Sequence, residues 1–348
     1  MRWNPPSQWL LVIFLALPGI AQAQFNFTVL GNTVTITGYT GSGGTVTVPT
    51  NINGLPVTAI ADYAFSNSFY LENIEIPGSI GSVGEAAFAN CDSLTNVTID
   101  PGVITNLGDF IFYHCDGLES VTLPNGIPRI GESAFDSTSL DNITIPSSVT
   151  YIGTNAFADT LLTNVAIPGN VIIIDSGAFD NCQLLTSLTM GNGVLNIGQA
   201  AFAFCNLGDF TIPASVTNIA SYAFFNNPTT NVFFEGNAFP VSISPFYGDS
   251  CTIYYLPGTS GWSSGTFSGS STVLWNPTVQ TGDGNFGVKG NQFGFDITGT
   301  ANIPIQIEAT SDLANPVWTP LQSLTLTNGS YYFSEPQQAA RFYRISSY

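Results

Sequence analysis

The chain has 348 residues, of which 44% are hydrophobic and only 8% are charged. Five basic residues stand against 23 acidic ones, giving a formal net charge of −18. Nucleic-acid binding requires clustered lysine and arginine that release counterions from phosphates, so this charge balance excludes nucleic acid as a partner.

Residues 1–23 have the layout of a secretory signal peptide. Arg2 precedes an apolar run from Trp9 to Leu17, and a small-residue triplet predicts cleavage after Ala23. The apolar run is shorter than the roughly 20 residues that span a bilayer. We therefore predict a secreted or cell-surface protein with no transmembrane anchor in the mature chain.

Residues 24–54 alternate apolar and polar side chains in the runs FNFTVL and TVTITGY, a pattern typical of β-strands. The first coil of a repeat array needs a cover, because it would otherwise expose apolar side chains and unpaired backbone groups. We interpret this segment as an N-terminal β cap.

Residues 55–257 contain a repeated sequence that reads roughly IPxSVTxIGxxAFxxCxxLTxVTIP. Eight units are clear, and a degenerate ninth runs from Phe233 to Pro257. The repeat phenylalanines recur at intervals of 22 to 24 residues, at Phe65, Phe88, Phe112, Phe135, Phe157, Phe179, Phe202 and Phe224.

Each unit carries an LxxLxL pattern that predicts a strand with buried apolar positions and outward-facing residues between them. The Ala-Phe segment follows a glycine and predicts one short helical turn with the phenylalanine inside. Such a unit cannot bury its own apolar side. We therefore predict a solenoid of about eight or nine stacked coils.

These motifs resemble the bacterial leucine-rich repeats of the BspA surface-antigen type. The resemblance covers about Leu55 to Pro257 and implies a right-handed, curved, mainly β solenoid with a surface or secreted role in adhesion and recognition. Two units depart from the template, since Ile111-Phe112 replaces Ala-Phe and Ile174-Asp175 replaces Ile-Gly.

Two segments follow the repeats. Residues 258–277 are rich in serine and glycine and are interpreted as a closing cap and linker. Residues 278–348 contain short apolar runs separated by Gly, Pro and Asn turns, which predict a small antiparallel β-sandwich. The patterns NQFGFDITG and RFYRI resemble a C-terminal module of secreted bacterial repeat proteins, a resemblance that implies no particular activity.

The repeat cysteines Cys91, Cys115, Cys182 and Cys205 each lie three residues after the repeat phenylalanine. Buried free thiols are the favoured interpretation. The alternative interpretation is a pair of disulfide bonds, Cys91–Cys115 and Cys182–Cys205, because export permits oxidation. Metal binding is disfavoured, since His114 is the single histidine and cannot complete a ligand set. A cysteine-protease pair of His114 and Cys115 is disfavoured as well, because the side chains of adjacent residues on an extended chain point apart.

No other sequence signal indicates chemistry. Asp283 and Asn285 lie in a loop that lacks the spacing of a calcium-binding EF-hand, and a solvated turn explains them. An enzyme in the C-terminal module would need two of its five acids facing each other in a cleft. We expect no enzymatic activity, no cofactor and no metal.

The candidate binding surface is the outward-facing row of the predicted concave sheet, a threonine ladder beside an asparagine and serine ladder. A solvated sheet without a ligand also explains this row, because threonine has high strand propensity. The two functions considered are recognition of an extracellular protein or glycan and, alternatively, a structural matrix or display scaffold without a specific ligand. The row comprises Asn73, Glu75, Asn96, Thr98, Ser120, Thr122, Asn142, Thr144, Asn164, Ser187, Thr189, Asp209 and Thr211.

Overall fold

A computed structural model describes residues 24–102, 104–241, 243–262, 265–338 and 341–346. The predicted signal peptide, residues 1–23, lies outside the described residues. The described parts of the chain form strands and turns without a helix, arranged as a β-solenoid of about ten turns followed by a β-sandwich. The predicted fold class is thereby confirmed.

The N-terminal segment and the first repeat contribute five strands. They are β1 (Phe25–Leu30), β2 (Thr33–Tyr39), β3 (Gly44–Thr47), β4 (Asn51–Ile52) and β5 (Leu55–Ile60). Strands β1 and β2 form an antiparallel hairpin, and β2 then pairs in parallel with β5. The predicted cap therefore joins the solenoid by backbone pairing.

The repeats contribute strands of two kinds, longer ones at the LxxLxL pattern, with β10 shortened to two residues, and two-residue ones at the SVTxIG pattern. They are β6 (Leu71–Ile76), β7 (Ser82–Val83), β8 (Asn96–Ile99), β9 (Asn106–Leu107), β10 (Ser120–Val121), β11 (Arg129–Ile130), β12 (Tyr151–Ile152), β13 (Asn164–Ile167), β14 (Ile173–Ile174), β15 (Ser187–Met190), β16 (Asn196–Ile197), β17 (Phe210–Ile212), β18 (Asn218–Ile219), β19 (Asn231–Phe234) and β20 (Thr252–Tyr255).

Strands of one kind pair in parallel from coil to coil. The strands at the LxxLxL pattern form the ladders β6-β8-β10, which β3 joins, β13-β15 and β17-β19-β20. The strands at the SVTxIG pattern form β7-β9, which pairs with the six-residue β5, and β11-β12-β14-β16-β18. Within the longer strands burial alternates, as in β8, because one face lines the core and the other meets solvent. This alternation confirms the predicted strand orientation.

The repeat phenylalanines form one continuous stack through the core. Their ring centroids lie 4.8–5.5 Å apart in successive coils. Tyr39 stacks on Phe65 at the N-terminal end, and Phe246, one repeat length beyond Phe224, extends the stack at the other. Phe246 identifies the degenerate ninth unit, and the 22-residue interval from Phe224 could have located it in the sequence.

The segment around each phenylalanine differs from the predicted helical turn. The residues two before and two after the phenylalanine have positive φ, as at Asn155 (53°) and Asp159 (55°) around Phe157, and this interrupts a helix. Backbone N–H groups of one coil donate to carbonyl oxygens of the next, for example from Phe157 to Ala178 over 2.8 Å. We call this series of stacked turns the turn row.

The last strands close the solenoid and build the sandwich. They are β21 (Thr266–Phe267), β22 (Ser270–Leu274), β23 (Thr278–Gln280), β24 (Gly287–Lys289), β25 (Gln292–Thr298), β26 (Pro304–Thr310), β27 (Thr319–Thr325), β28 (Ser330–Pro336) and β29 (Phe342–Ser346). Strand β22 pairs in parallel with β20, so the segment interpreted as cap and linker adds one more rung. The sheets β23-β25-β24, with β28, and β27-β26-β29 are antiparallel and share a core, which confirms the predicted sandwich.

Candidate functional site

The outward side chains of the longer strands form one surface, which we call the strand face. Parallel register places equivalent residues side by side, so that Asn73 lies beside Asn96, which lies beside Ser120. Hydrogen bonds run along the row. For example, the Ser120 hydroxyl donates to Asn96 Oδ1 over 3.2 Å. The ladders predicted from the sequence are thus brought together in space.

The face also includes residues from the N-terminal cap that sequence reasoning left out. Thr45 and Thr47 of β3 pair with β6, and the Thr47 hydroxyl donates to Glu75 Oε2 over 2.9 Å. Asn73 donates its amide to the Thr45 hydroxyl over 3.2 Å. The run TVTVP at residues 45–49 repeats the end of the repeat template and was the available signal.

The predicted site residues all occupy outward positions on their strands. Three of them, Asn73, Asp209 and Thr211, are half-buried. The exposed members are Glu75, Asn96, Thr98, Ser120, Thr122, Asn142, Thr144, Asn164, Ser187 and Thr189.

Pairing between the longer strands lapses at the fourth coil. The segment from Leu140 to Ile145 joins neither the β6-β8-β10 ladder nor the β13-β15 ladder in the described chain. Hollows of about 480 Å³ and 330 Å³ open on its two sides, the first between Thr122 and Asn142 and the second between Thr144 and Asn164. Small polar side chains and strand backbone therefore share an accessible surface here.

The C-terminal end of the strand face is covered. In the ninth coil the outward positions become Phe233 and, one rung further, Tyr254, and both are buried against the sandwich core. Trp275 donates from its indole nitrogen to the Pro304 carbonyl oxygen over 2.8 Å across this junction. Thr211 lines a hollow of about 330 Å³ at the edge of the junction.

Asp209, at the same end, is held by the next coil. Its Oδ1 accepts hydrogen bonds from the Asn231 backbone N–H (2.8 Å) and the Thr230 hydroxyl (3.0 Å), and its Oδ2 accepts from the Asn231 amide (2.6 Å). This carboxylate joins two coils. The accessible strand face accordingly runs from β3 to β15.

All five cysteines are buried and free. The thiols of Cys91, Cys115, Cys182 and Cys205 each donate to the carbonyl oxygen of the phenylalanine in the preceding coil, over 3.0–3.2 Å. Burial raises the pKa of the Cys115 thiol. These side chains satisfy core carbonyl groups and do not meet solvent.

Several other titratable groups lie in turns or ion pairs. Exposed His114 lies beside Asp116, with 3.6 Å between Nδ1 and Oδ1. Asp283 accepts the Asn285 backbone N–H over 2.9 Å, which is an Asx turn. In the sandwich, Glu335 pairs with Arg341 and Glu308 with Arg344.

Within the described ranges no group of three or more His, Cys, Asp and Glu residues is placed to hold a metal ion. The same part of the chain contains no helix long and apolar enough to cross a membrane.

Comparisons with known proteins agree with the solenoid. The family model for the BspA type leucine-rich repeat region matches residues 58–184 and 150–273, with six copies. A leucine-rich repeat protein from Bacteroides ovatus is 26% identical, with a TM-score of 0.52 over 66% of this chain and 69% of that chain. No curated protein matches the chain.

Two further solved structures are similar to this chain. The leucine-rich repeat protein TpLRR of T. pallidum is 28% identical over 53% of this chain and 87% of its own, with a TM-score of 0.49. A leucine rich cell surface protein from Faecalibacterium prausnitzii is 24% identical over 68% of this chain and 88% of its own, with a TM-score of 0.44. Because the matched family model spans more than half of the chain, this protein belongs to the BspA-type leucine-rich repeat family.

Proposed function

We propose that this protein is a secreted or surface-displayed, non-enzymatic recognition protein that binds an extracellular protein or glycan through the strand face. Proteins of the BspA type generally have surface and recognition roles, which supports the proposal. The leader predicted at residues 1–23 agrees with it.

The observation that carries the proposal is the composition and accessibility of the strand face from β3 to β15. Its side chains are short and polar, and they present hydroxyl and amide groups in register over successive coils. At the fourth coil, where strand pairing lapses, the hollows beside Asn142 add depth to an otherwise flat surface. Sites that bind specifically combine such concavity with a few polar groups.

The test uses the mature chain, residues 24–348, on an array of glycans and extracellular matrix proteins. The double variant Thr122→Arg with Thr144→Arg blocks the hollows at the fourth coil. The matched control carries Thr150→Arg with Thr217→Arg, two exposed threonines away from the strand face. We expect saturable binding that the first variant loses and the control keeps.

Binding that survives in both variants would place recognition elsewhere on the molecule. A chain that binds nothing on the array but assembles with itself in sedimentation velocity would support the scaffold function instead.

A further inference from the structure

An exposed group of aromatic side chains lies on the turn row, away from the strand face. It comprises Phe204, Tyr222, Phe225 and Tyr247, contributed by three successive coils, and we call it the aromatic patch. Neighbouring ring centroids lie 5.0–6.0 Å apart. Phe204 is 45% exposed and Tyr247 is 57% exposed, so a large part of these rings meets solvent.

Two members of the patch occupy backbone positions that disfavour large side chains. Phe204 has φ 53° and Tyr222 has φ 62°. The position of Phe204 is filled in other coils mainly by residues suited to left-handed backbone, such as Asn67, Asn90 and Asn181. A phenylalanine there costs folding free energy and recovers little burial. Backbone strain of this kind is concentrated at binding sites.

A polar hollow adjoins the patch. Tyr247 lines both, and the ring of Phe225 lies over Gly248, where an added Cβ would be 3.1 Å from its Cε2 atom. The hollow has a volume of about 460 Å³, and Ser250, Thr252 and Ser271 are among the hydroxyl-bearing residues that line it. This volume is within the roughly 300–1,000 Å³ typical of small-molecule sites.

The local charge selects against an anionic ligand. The sequence contains no lysine or arginine between residues 130 and 288. Asp249 lines the hollow and accepts the Asn227 backbone N–H over 2.9 Å. A sulfated or carboxylated ligand would therefore meet a carboxylate without a compensating cation.

We propose that the aromatic patch and the adjoining hollow form a binding site for a neutral saccharide. A pyranose ring has a face of C–H groups, which packs on an aromatic ring, and a rim of hydroxyls, which exchange hydrogen bonds with serine and threonine. The patch supplies the rings and the hollow supplies the hydroxyls. This site lies beyond the accessible part of the strand face, which ends at β15, and does not depend on the proposed function.

The probe is a panel of neutral oligosaccharides built from glucose, galactose, mannose, xylose and N-acetylglucosamine, titrated calorimetrically into the full mature chain. The variants are Phe204→Asn and Tyr247→Ser. We expect each to weaken binding by about tenfold or more, as loss of an interface aromatic does. Ile172→Asn, at an isoleucine that is 43% exposed outside the patch, is the control and should keep the affinity of the parent.

Stability separates this proposal from a structural role. Asparagine accepts the left-handed backbone better than phenylalanine, so Phe204→Asn should unfold at the same or a higher denaturant concentration while binding falls. A loss of both binding and stability in Phe204→Asn would overturn the proposal.

Three other outcomes would also overturn it. They are an absence of binding across the panel, binding restricted to sulfated or uronic-acid glycans, and self-association that Tyr247→Ser abolishes, the last of which would assign the patch to a second copy of the chain. The strand-face variant Thr122→Arg with Thr144→Arg should leave saccharide binding intact, so the two proposals fail separately.

Discussion

The Cys115 thiol donates a 3.0 Å hydrogen bond to the backbone carbonyl oxygen of Phe88, one coil earlier in the solenoid. Asparagine makes the corresponding contact in another coil, whereas threonine donates to the phenylalanine of its own coil. Thr138 donates to the carbonyl oxygen of Phe135, and Asn227 donates to those of Phe202 and Phe224. The position three residues after the repeat phenylalanine therefore requires a small hydrogen-bond donor, whatever its chemical type.

Replacing Cys115 should show this requirement. Cys115→Ala leaves the Phe88 carbonyl oxygen without its donor, and we expect a loss of about 1–3 kcal/mol in the free energy of unfolding. Cys115→Asn should lose less, because an amide at this position can donate to the phenylalanine carbonyl oxygen of the preceding coil, as Asn227 does to Phe202. Urea unfolding followed by circular dichroism measures both. Equal midpoints for the two variants would contradict the assignment.

The thiols should be unreactive in the folded protein. Burial removes all five from reagents, and it raises the pKa of Cys115, so little thiolate forms at that residue at neutral pH. Titration with a chromogenic disulfide reagent should detect almost no thiol in buffer and all five in concentrated urea. A denatured, unreduced protein with fewer than five thiols would instead indicate the disulfides Cys91–Cys115 or Cys182–Cys205.

The repeat glycine before the turn row should not tolerate a side chain. A Cβ on Gly198 would lie 2.4 Å from the Ser176 backbone nitrogen and 2.5 Å from the Asp175 carbonyl carbon. Coils would have to separate, and we expect Gly198→Ala to cost about 1–3 kcal/mol. Gly282→Ala is the control, because no atom lies within 4 Å of the added Cβ. Comparable thermal midpoints for both variants would refute the close approach.

Asp249 should make stability depend on pH. Burial is the main cause that raises the pKa of its carboxyl to about 6 in the folded chain. The folded state thus holds the proton more tightly, and stability falls as pH rises from about 4, the unfolded pKa, to about 6. Above about pH 6 the loss in the free energy of unfolding is constant. It amounts to about 1 kcal/mol, because solvent screens this half-exposed group.

Asp249→Asn keeps the oxygen that accepts the Asn227 N–H and removes the titration. The variant should therefore match the parent near pH 3.5 and be more stable at pH 7.5, as measured by urea midpoints at both values. Asp92→Asn, at an exposed acid, serves as the control. A variant that is less stable than the parent at pH 7.5 would reverse the sign assigned here.

The repeat made most of the fold accessible from the sequence. Intervals of 22 to 24 residues located the stacked phenylalanines, and the alternation in LxxLxL identified which side chains face outward. The covering of Phe233 and Tyr254 by the sandwich was not predicted. The sequence nevertheless contained a signal for this covering. Large aromatic residues replace threonine at these outward positions, and large aromatic residues seldom face solvent in clusters.

The lapse in pairing at the fourth coil could not have been predicted. The segment LDNITI (Leu140–Ile145) has the same pattern as LTNVTI (Leu94–Ile99), which forms a paired strand. Local propensity is therefore equal in the two coils. The difference therefore lies outside the segment itself, in its contacts with the neighbouring coils.

The turn row has a local electrostatic consequence. From the coil of Phe65 to that of Phe224, its N–H groups point toward the C-terminal end and its carbonyl groups point back. Peptide dipoles of about 3.5 D each add along this axis, as they do in an α-helix, but with the opposite polarity relative to chain direction. Within the turn row the positive pole therefore lies at the last coils, where Asp249 places its carboxylate. N–H groups beside the strands, such as that of Gly84, which donates to Ile60 of the preceding coil, point the opposite way and counter this local dipole.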